Sequence, residues 1–169
     1  DQVTWETPYF IKGHTKLGGF QFTDVSGTLM QNMDYEYQID TGLGYSAWKF
    51  LMTTRTRTTL GTVGTNTFTY TSTGAGRLPQ IGDYVGTVLG THFAAGTTVT
   101  NVVGTTITLS ANILVTLTTL LQVYFWNDIE SEPVINPTTG FKLKVRATTT
   151  VANSTNAIST IKIATTTNA

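Results

Sequence analysis

Polar and apolar residues alternate strictly along residues 34–39, where Tyr35, Tyr37 and Ile39 fall on one face and Asp34, Glu36 and Gln38 on the other. Residues 141–147 repeat the pattern: Phe141, Leu143, Val145 and Ala147 point one way, and Lys142, Lys144 and Arg146 the other. A period of two is the signature of a strand with one buried face and one wet face. It also explains the three cations as the solvated side of that strand rather than as a phosphate-binding stripe. Further strands are predicted over residues 19–23, 48–54, 65–72, 83–88, 97–102, 105–110, 116–126 and 157–164. Glycine- or asparagine-bearing breaks at 41–44, 74–76, 103–104 and 136–140 punctuate them. The best helical segment, 111–121, carries Val115, Thr116, Thr118 and Thr119, whose branched β-carbons disfavour a helix. Short strands with turns between them predict an all-β fold: an antiparallel β-sandwich of the immunoglobulin-like or jelly-roll-like kind, with a small hairpin-rich β insertion.

The insertion is inferred from a change of texture. Residues 1–60 and 121–169 hold all three tryptophans, most of the charges and the clean alternation, and are expected to form an outer sandwich. Residues 61–120 are poorer in charge and richer in Gly, Thr and Val. Within them, residues 97–110 predict a hairpin turning near Val103 and Gly104.

Composition narrows the function. Threonine makes up roughly a fifth of the 169 residues, and a stiff β-branched residue in such excess favours strands. Charged residues are 12% of the chain and the formal net charge is +0, so the basic field that a nucleic-acid binder needs is missing. Cysteine is absent, which removes disulfides and thiolate metal sites. No apolar run is long enough for a membrane span.

Candidate chemistry is sparse. The two histidines, His14 and His92, are far apart and show no metal-ligand spacing. No GxSxG nucleophile turn and no GK[ST] phosphate loop occurs. The densest acidic cluster is Asp128, Glu130 and Glu132. A glycan-cleaving enzyme would need two such carboxylates at the right separation, but Pro133 follows at once and a solvated strand end is the simpler reading. We expect no catalytic residues, no metal and no cofactor. Among the aromatics, Trp48 and Trp126 lie in strand patterns and are expected to be buried. Tyr45, beside the glycine pair Gly42 and Gly44, is the candidate for an exposed glycan contact.

Three segments resemble modules in large structural proteins of tailed bacteriophages, particularly those of marine and other environmental phages. They are residues 1–10 (DQVTWETPYF) with Gly13 and His14, residues 37–49 (YQIDTGLGYSAWK), and residues 136–147 (NPTTGFKLKVRA) with 153–160. Residues 94–100 (AAGTTVT) followed by 104–110 (GTTITLS) resemble a second element of phage structural proteins, PAGTTVT…GTTITLS, with Ala94 in place of the usual proline. The resemblance implies a non-enzymatic structural or adhesive module of a virion appendage: a tail fibre, baseplate-associated or decoration protein. Its partners would be copies of itself, other virion proteins or a host-surface glycan, with no nucleic acid. Alternatives are a carbohydrate-binding module and a bacterial surface filament or adhesin subunit.

Overall fold

The computed structural model describes residues 2–7, 14–24, 33–72, 77–87, 90–127, 140–149 and 158–167. Among them no helix forms and eleven strands follow one another. These are β1 (Gln2–Glu6), β2 (His14–Asp24), β3 (Met33–Asp40), β4 (Lys49–Gly61), β5 (Thr67–Ser72), β6 (Tyr84–Gly86), β7 (Val99–Val103), β8 (Thr106–Leu109), β9 (Gln122–Trp126), β10 (Lys142–Thr149) and β11 (Ile158–Thr167). Every pairing is antiparallel: β2 and β11 form a ribbon of their own, and the other nine strands join one sheet. The fold is therefore all-β and sandwich-like, as the alternation predicts.

The thirteen-residue β4 organises the large sheet. Along one edge its first half pairs with β3 (Asp34 opposite Thr53, Tyr37 opposite Lys49) and its second half with β5 (Thr56 opposite Ser72, Gly61 opposite Phe68). Along the other edge it pairs with β9, Met52 opposite Trp126 and Arg57 opposite Gln122. Register shifts interrupt all three ladders, and each such bulge bends the strand and increases its twist.

The two halves of β4 lead into different structures. From its first half the sheet continues outward as β3, β10 and β1. Alternation holds along β3 and β10: Met33, Tyr35, Tyr37 and Ile39 of β3 and Leu143, Val145 and Ala147 of β10 join Phe141 and Leu51 in a first core, each 3% exposed or less. From its second half the sheet continues as β5, β8 and β7. The β7–β8 turn takes two residues, Gly104 and Thr105, between the paired Val103 and Thr106. Gly104 has φ 56°, the left-handed backbone that a primed hairpin turn requires at that position.

Beyond β7 the sheet curls back on itself. Tyr84 bridges Thr98; the amides of Gly82 and Val85 donate to the carbonyls of Val99 and Thr97, and the Val99 amide to the Asp83 carbonyl. This brings β7 to β6, β6 pairs with β9, and β9 returns to β4. The circuit β4–β5–β8–β7–β6–β9 thus makes a small ring, which leaves few open edges. A second core fills it: Phe68, Tyr70, Val85, Phe93, Val99, Ile107, Leu109, Ile113, Leu117, Val123 and Phe125. That core draws on residues 61–120 and on β9 together. Each large side chain removed from water here contributes about 1.5–3 kcal/mol.

Candidate functional site

The polar face of the open part of the sheet holds the densest set of aromatic and charged side chains that the structure describes. Cross-strand register builds it in rows, because directly opposite residues share a face. Glu6, Lys144 and Gln38 form one row; Thr4, Arg146, Glu36 and Phe50 form the next. The cations predicted on the wet side of residues 141–147 stand there, half-buried, while their neighbours Leu143 and Val145 are fully buried.

A turn built by its own side chains then brings Tyr45 over this face. The Asp40 carboxylate accepts the amides of Gly42 (2.8 Å) and Gly44 (3.1 Å). Both glycines have φ values open to few other residues, 122° and 93°. Ser46 pins the far side: its amide donates to the Ile39 carbonyl, its hydroxyl accepts the Ile39 amide, and its carbonyl accepts from the Gln38 side chain. The sequence singled out Tyr45 from the glycine pair alone. The structure places it half-buried, its hydroxyl donating to the Glu6 carboxylate and the Lys144 ammonium 4.1 Å from the ring centroid. Burial, and then the bond to Glu6, push the Tyr45 hydroxyl well above the ordinary tyrosine range.

Two further rings carry cations. The Arg146 guanidinium lies 4.1 Å from the Trp48 centroid and donates to Glu36 at 2.6 and 2.9 Å. The Arg77 guanidinium lies 3.6 Å from the Phe50 centroid. Arg77 also grips Asp83 through two bonds, 2.7 and 2.8 Å. The buried Asp83 carboxylate accepts from the Gln80 amide and the Asn127 side chain as well. A buried carboxylate is stable only when paired and hydrogen-bonded in this way. The sequence did not point to this group, although Arg77 and Asp83, six apart in a stretch otherwise without charge, were its signal.

A stacking platform for a sugar needs an open ring face. On Tyr45, Trp48 and Phe50 one face is already held by a cation, worth roughly 0.5–1 kcal/mol at an exposed site. A ligand would use the opposite face or displace the cation. The carboxylates Glu6, Glu36 and Asp83 balance Lys144, Arg146 and Arg77, so the face is close to neutral.

Other candidates from the sequence fall elsewhere. His92 is buried, its Nδ1 2.9 Å from the Thr87 hydroxyl; His14 lies in β2. Arg55 is buried in an ion pair with Asp34 at 2.9 Å, and Arg57 donates to the carbonyls of Thr54 and Thr56. Trp48 and Trp126 are each half-buried, and Tyr84 stacks on Trp126 at 5.8 Å. The acidic cluster of Asp128, Glu130 and Glu132 lies outside the described residues, as do the glycines at 74–76. Among the described residues no group of three His, Asp or Glu side chains is placed to hold a metal ion, and no helix is long and apolar enough to cross a membrane. In comparisons with known proteins, the chain matches no family model, no curated protein and no solved structure.

Proposed function

We propose that this chain is a non-enzymatic structural or adhesive module of a bacteriophage virion appendage, acting through shape rather than chemistry. The observation that carries the reading is β4. One strand of thirteen residues, paired along both edges, ties an open sheet and a ring with separate cores into a single sheet. That is how a stiff spacer is built: bending it means breaking ladder bonds on both sides. The Thr-rich, low-charge composition and the resemblance of the outer segments to phage structural modules support the same reading. Immunogold labelling of particles purified from the source, with antibody raised against the chain, tests it. Gold on tail or baseplate appendages is the expected result. Gold confined to bacterial surfaces would replace this reading with that of a filament or adhesin subunit.

An adhesive role in carbohydrate binding is favoured by one specific observation. Tyr45 sits on a turn with two left-handed glycines, fixed by Asp40 and Ser46, beside the rings and charges of Trp48 and Arg146. Binding groups are best carried by loops that a rigid scaffold positions. Retention on a glycan array that disappears in Tyr45→Ala is the outcome this role requires; binding that survives the substitution removes Tyr45 from it.

A further inference from the structure

Three cations on the polar face of the open sheet each lie on an aromatic ring. The Lys144 ammonium is 4.1 Å from the Tyr45 centroid, the Arg146 guanidinium 4.1 Å from that of Trp48, and the Arg77 guanidinium 3.6 Å from that of Phe50. Two of the three also hold a carboxylate. Arg146 donates to Glu36 at 2.6 and 2.9 Å, and Arg77 to Asp83 at 2.7 and 2.8 Å. The repeated unit is a cation with a ring and a carboxylate as its two partners.

Lys144 has the ring without the carboxylate. Glu6 stands directly opposite it in the β1–β10 ladder, but that carboxylate accepts the Tyr45 hydroxyl. Among the described residues no ion pair is made by Lys144. Asp40, at the end of β3, is taken by the amides of Gly42 and Gly44. Gln38, opposite Lys144 on its other side, turns its amide nitrogen to the Ser46 carbonyl and brings no charge. Lys144 is half-buried, so it has lost part of its hydration, and a ring face returns only a weak attraction. An ammonium carries three N–H donors, and these are best met by acceptor oxygens.

We infer that Lys144 sets the ligand class of the Tyr45 site: a glycan bearing a carboxylate, such as a uronic or sialic acid residue, which binds beside Lys144 as Glu36 binds beside Arg146. The inference rests on the glycan-binding reading of Tyr45 and names the kind of glycan. Asp40 and Ser46 fix the turn without help from Lys144, so the ammonium can swing from the ring to a ligand oxygen while the site keeps its shape. A charge-assisted bond to a carboxylate is stronger than the ring contact it replaces. Glu6 acts in the opposite sense, because its charge repels a second carboxylate.

Titration calorimetry of the full chain tests it, with sialyllactose, oligogalacturonate and a hyaluronan fragment as probes, each beside its carboxyl methyl ester. At least one acid should bind, and its ester about tenfold or more weakly. Lys144→Gln should bring the acid down to the level of the ester and leave the ester unchanged, with circular dichroism retained. A lysine that only steadied Tyr45 would weaken both. Glu6→Gln, which keeps an acceptor for the Tyr45 hydroxyl, should tighten binding of the acid about twofold or more and leave the ester unchanged. Acid and ester that bind alike overturn the inference and leave Tyr45 as a neutral-glycan contact. Equal weakening of both in Lys144→Gln overturns it too, as does a preference for dextran sulfate over every carboxylated probe. Binding that survives Tyr45→Ala, or no glycan bound at all, overturns the reading of Tyr45 and the inference with it.

Discussion

The open sheet and the ring share a backbone strand and differ in how they treat water. On the open sheet, β3 and β10 alternate a fully buried apolar face with a charged one, and the charges are occupied: Lys144 and Arg146 lie on aromatic rings and Arg146 pairs with Glu36. In the ring, the core is equally dry, but residues 58–127 carry only Arg77 and Asp83 as charged side chains. The same ladder can therefore be finished with two surfaces, one rich in paired charges and one almost free of charge. The difference lies in side chains and not in backbone, so substitutions can test each region on its own.

The largest effect is expected at Asp83, the buried carboxylate that gathers Arg77, the Gln80 amide and Asn127 where the ring meets Phe50. Asp83→Ala leaves a guanidinium and an amide without their acceptor and should cost about 3–5 kcal/mol in urea denaturation. Hydrogen exchange should quicken first in β6 and β9, with β3 and β10 still protected. If protection falls equally in both regions, they are one cooperative unit and the comparison fails.

Next comes Gly61, where β4 ends inside the ring. A Cβ there would stand 2.6 Å from Leu117 Cδ1 and 2.9 Å from Phe68 Cβ. Gly61→Ala should cost about 1–3 kcal/mol by overpacking, read as a lower melting temperature. A melting temperature equal to that of the original chain would mean that the ring is loosely packed at this end.

How far the sequence reveals this architecture depends on how local the determining contacts are. β3 and β10 are legible because each carries its own period of two, and the hairpin at Val103 and Gly104 because its turn chemistry lies within its own residues. β4 is legible only in part. Residues 53–56 and 58 are all buried although every one is polar, so neither an apolar face nor an end is visible beyond residue 54; the burial comes from partners on both edges. Closure of the ring joins residues 82–85 to 97–99 and then to β9, and no local pattern encodes it. The candidate site divides the same way. The glycine turn marks Tyr45, but Glu6 reaches it from 39 residues away and Lys144 from the far end of the sheet, through register alone.

A smaller effect is expected on the charged face. Arg146→Gln removes the guanidinium over Trp48 and its bonds to Glu36. These groups are half-exposed, so the expected loss is about 1 kcal/mol. High salt should narrow the gap between the original and substituted chains, because screening weakens the ion pair in the original. A gap that stays constant with salt would assign the effect to packing of the side-chain stem against the indole.

The smallest effect, and the one that isolates the candidate site, belongs to the Tyr45 hydroxyl. Tyr45→Phe keeps the ring beneath Lys144 and deletes only the bond to Glu6, for about 0.5 kcal/mol at neutral pH. Its pH dependence has a definite sign. The hydroxyl is harder to ionise in the folded chain than in the unfolded one, so its contribution is complete below the ordinary tyrosine pKa of about 10 and is lost as pH rises through the higher folded value. Tyr124, whose hydroxyl burial pushes up to about 12, weakens both chains alike over the same range and cancels in the comparison. The stability of the original chain should therefore converge on that of Tyr45→Phe in alkaline urea titrations. A difference that persists undiminished there would show that the hydroxyl acts through ring position rather than through its proton, and the Glu6 bond would no longer explain how Tyr45 is held.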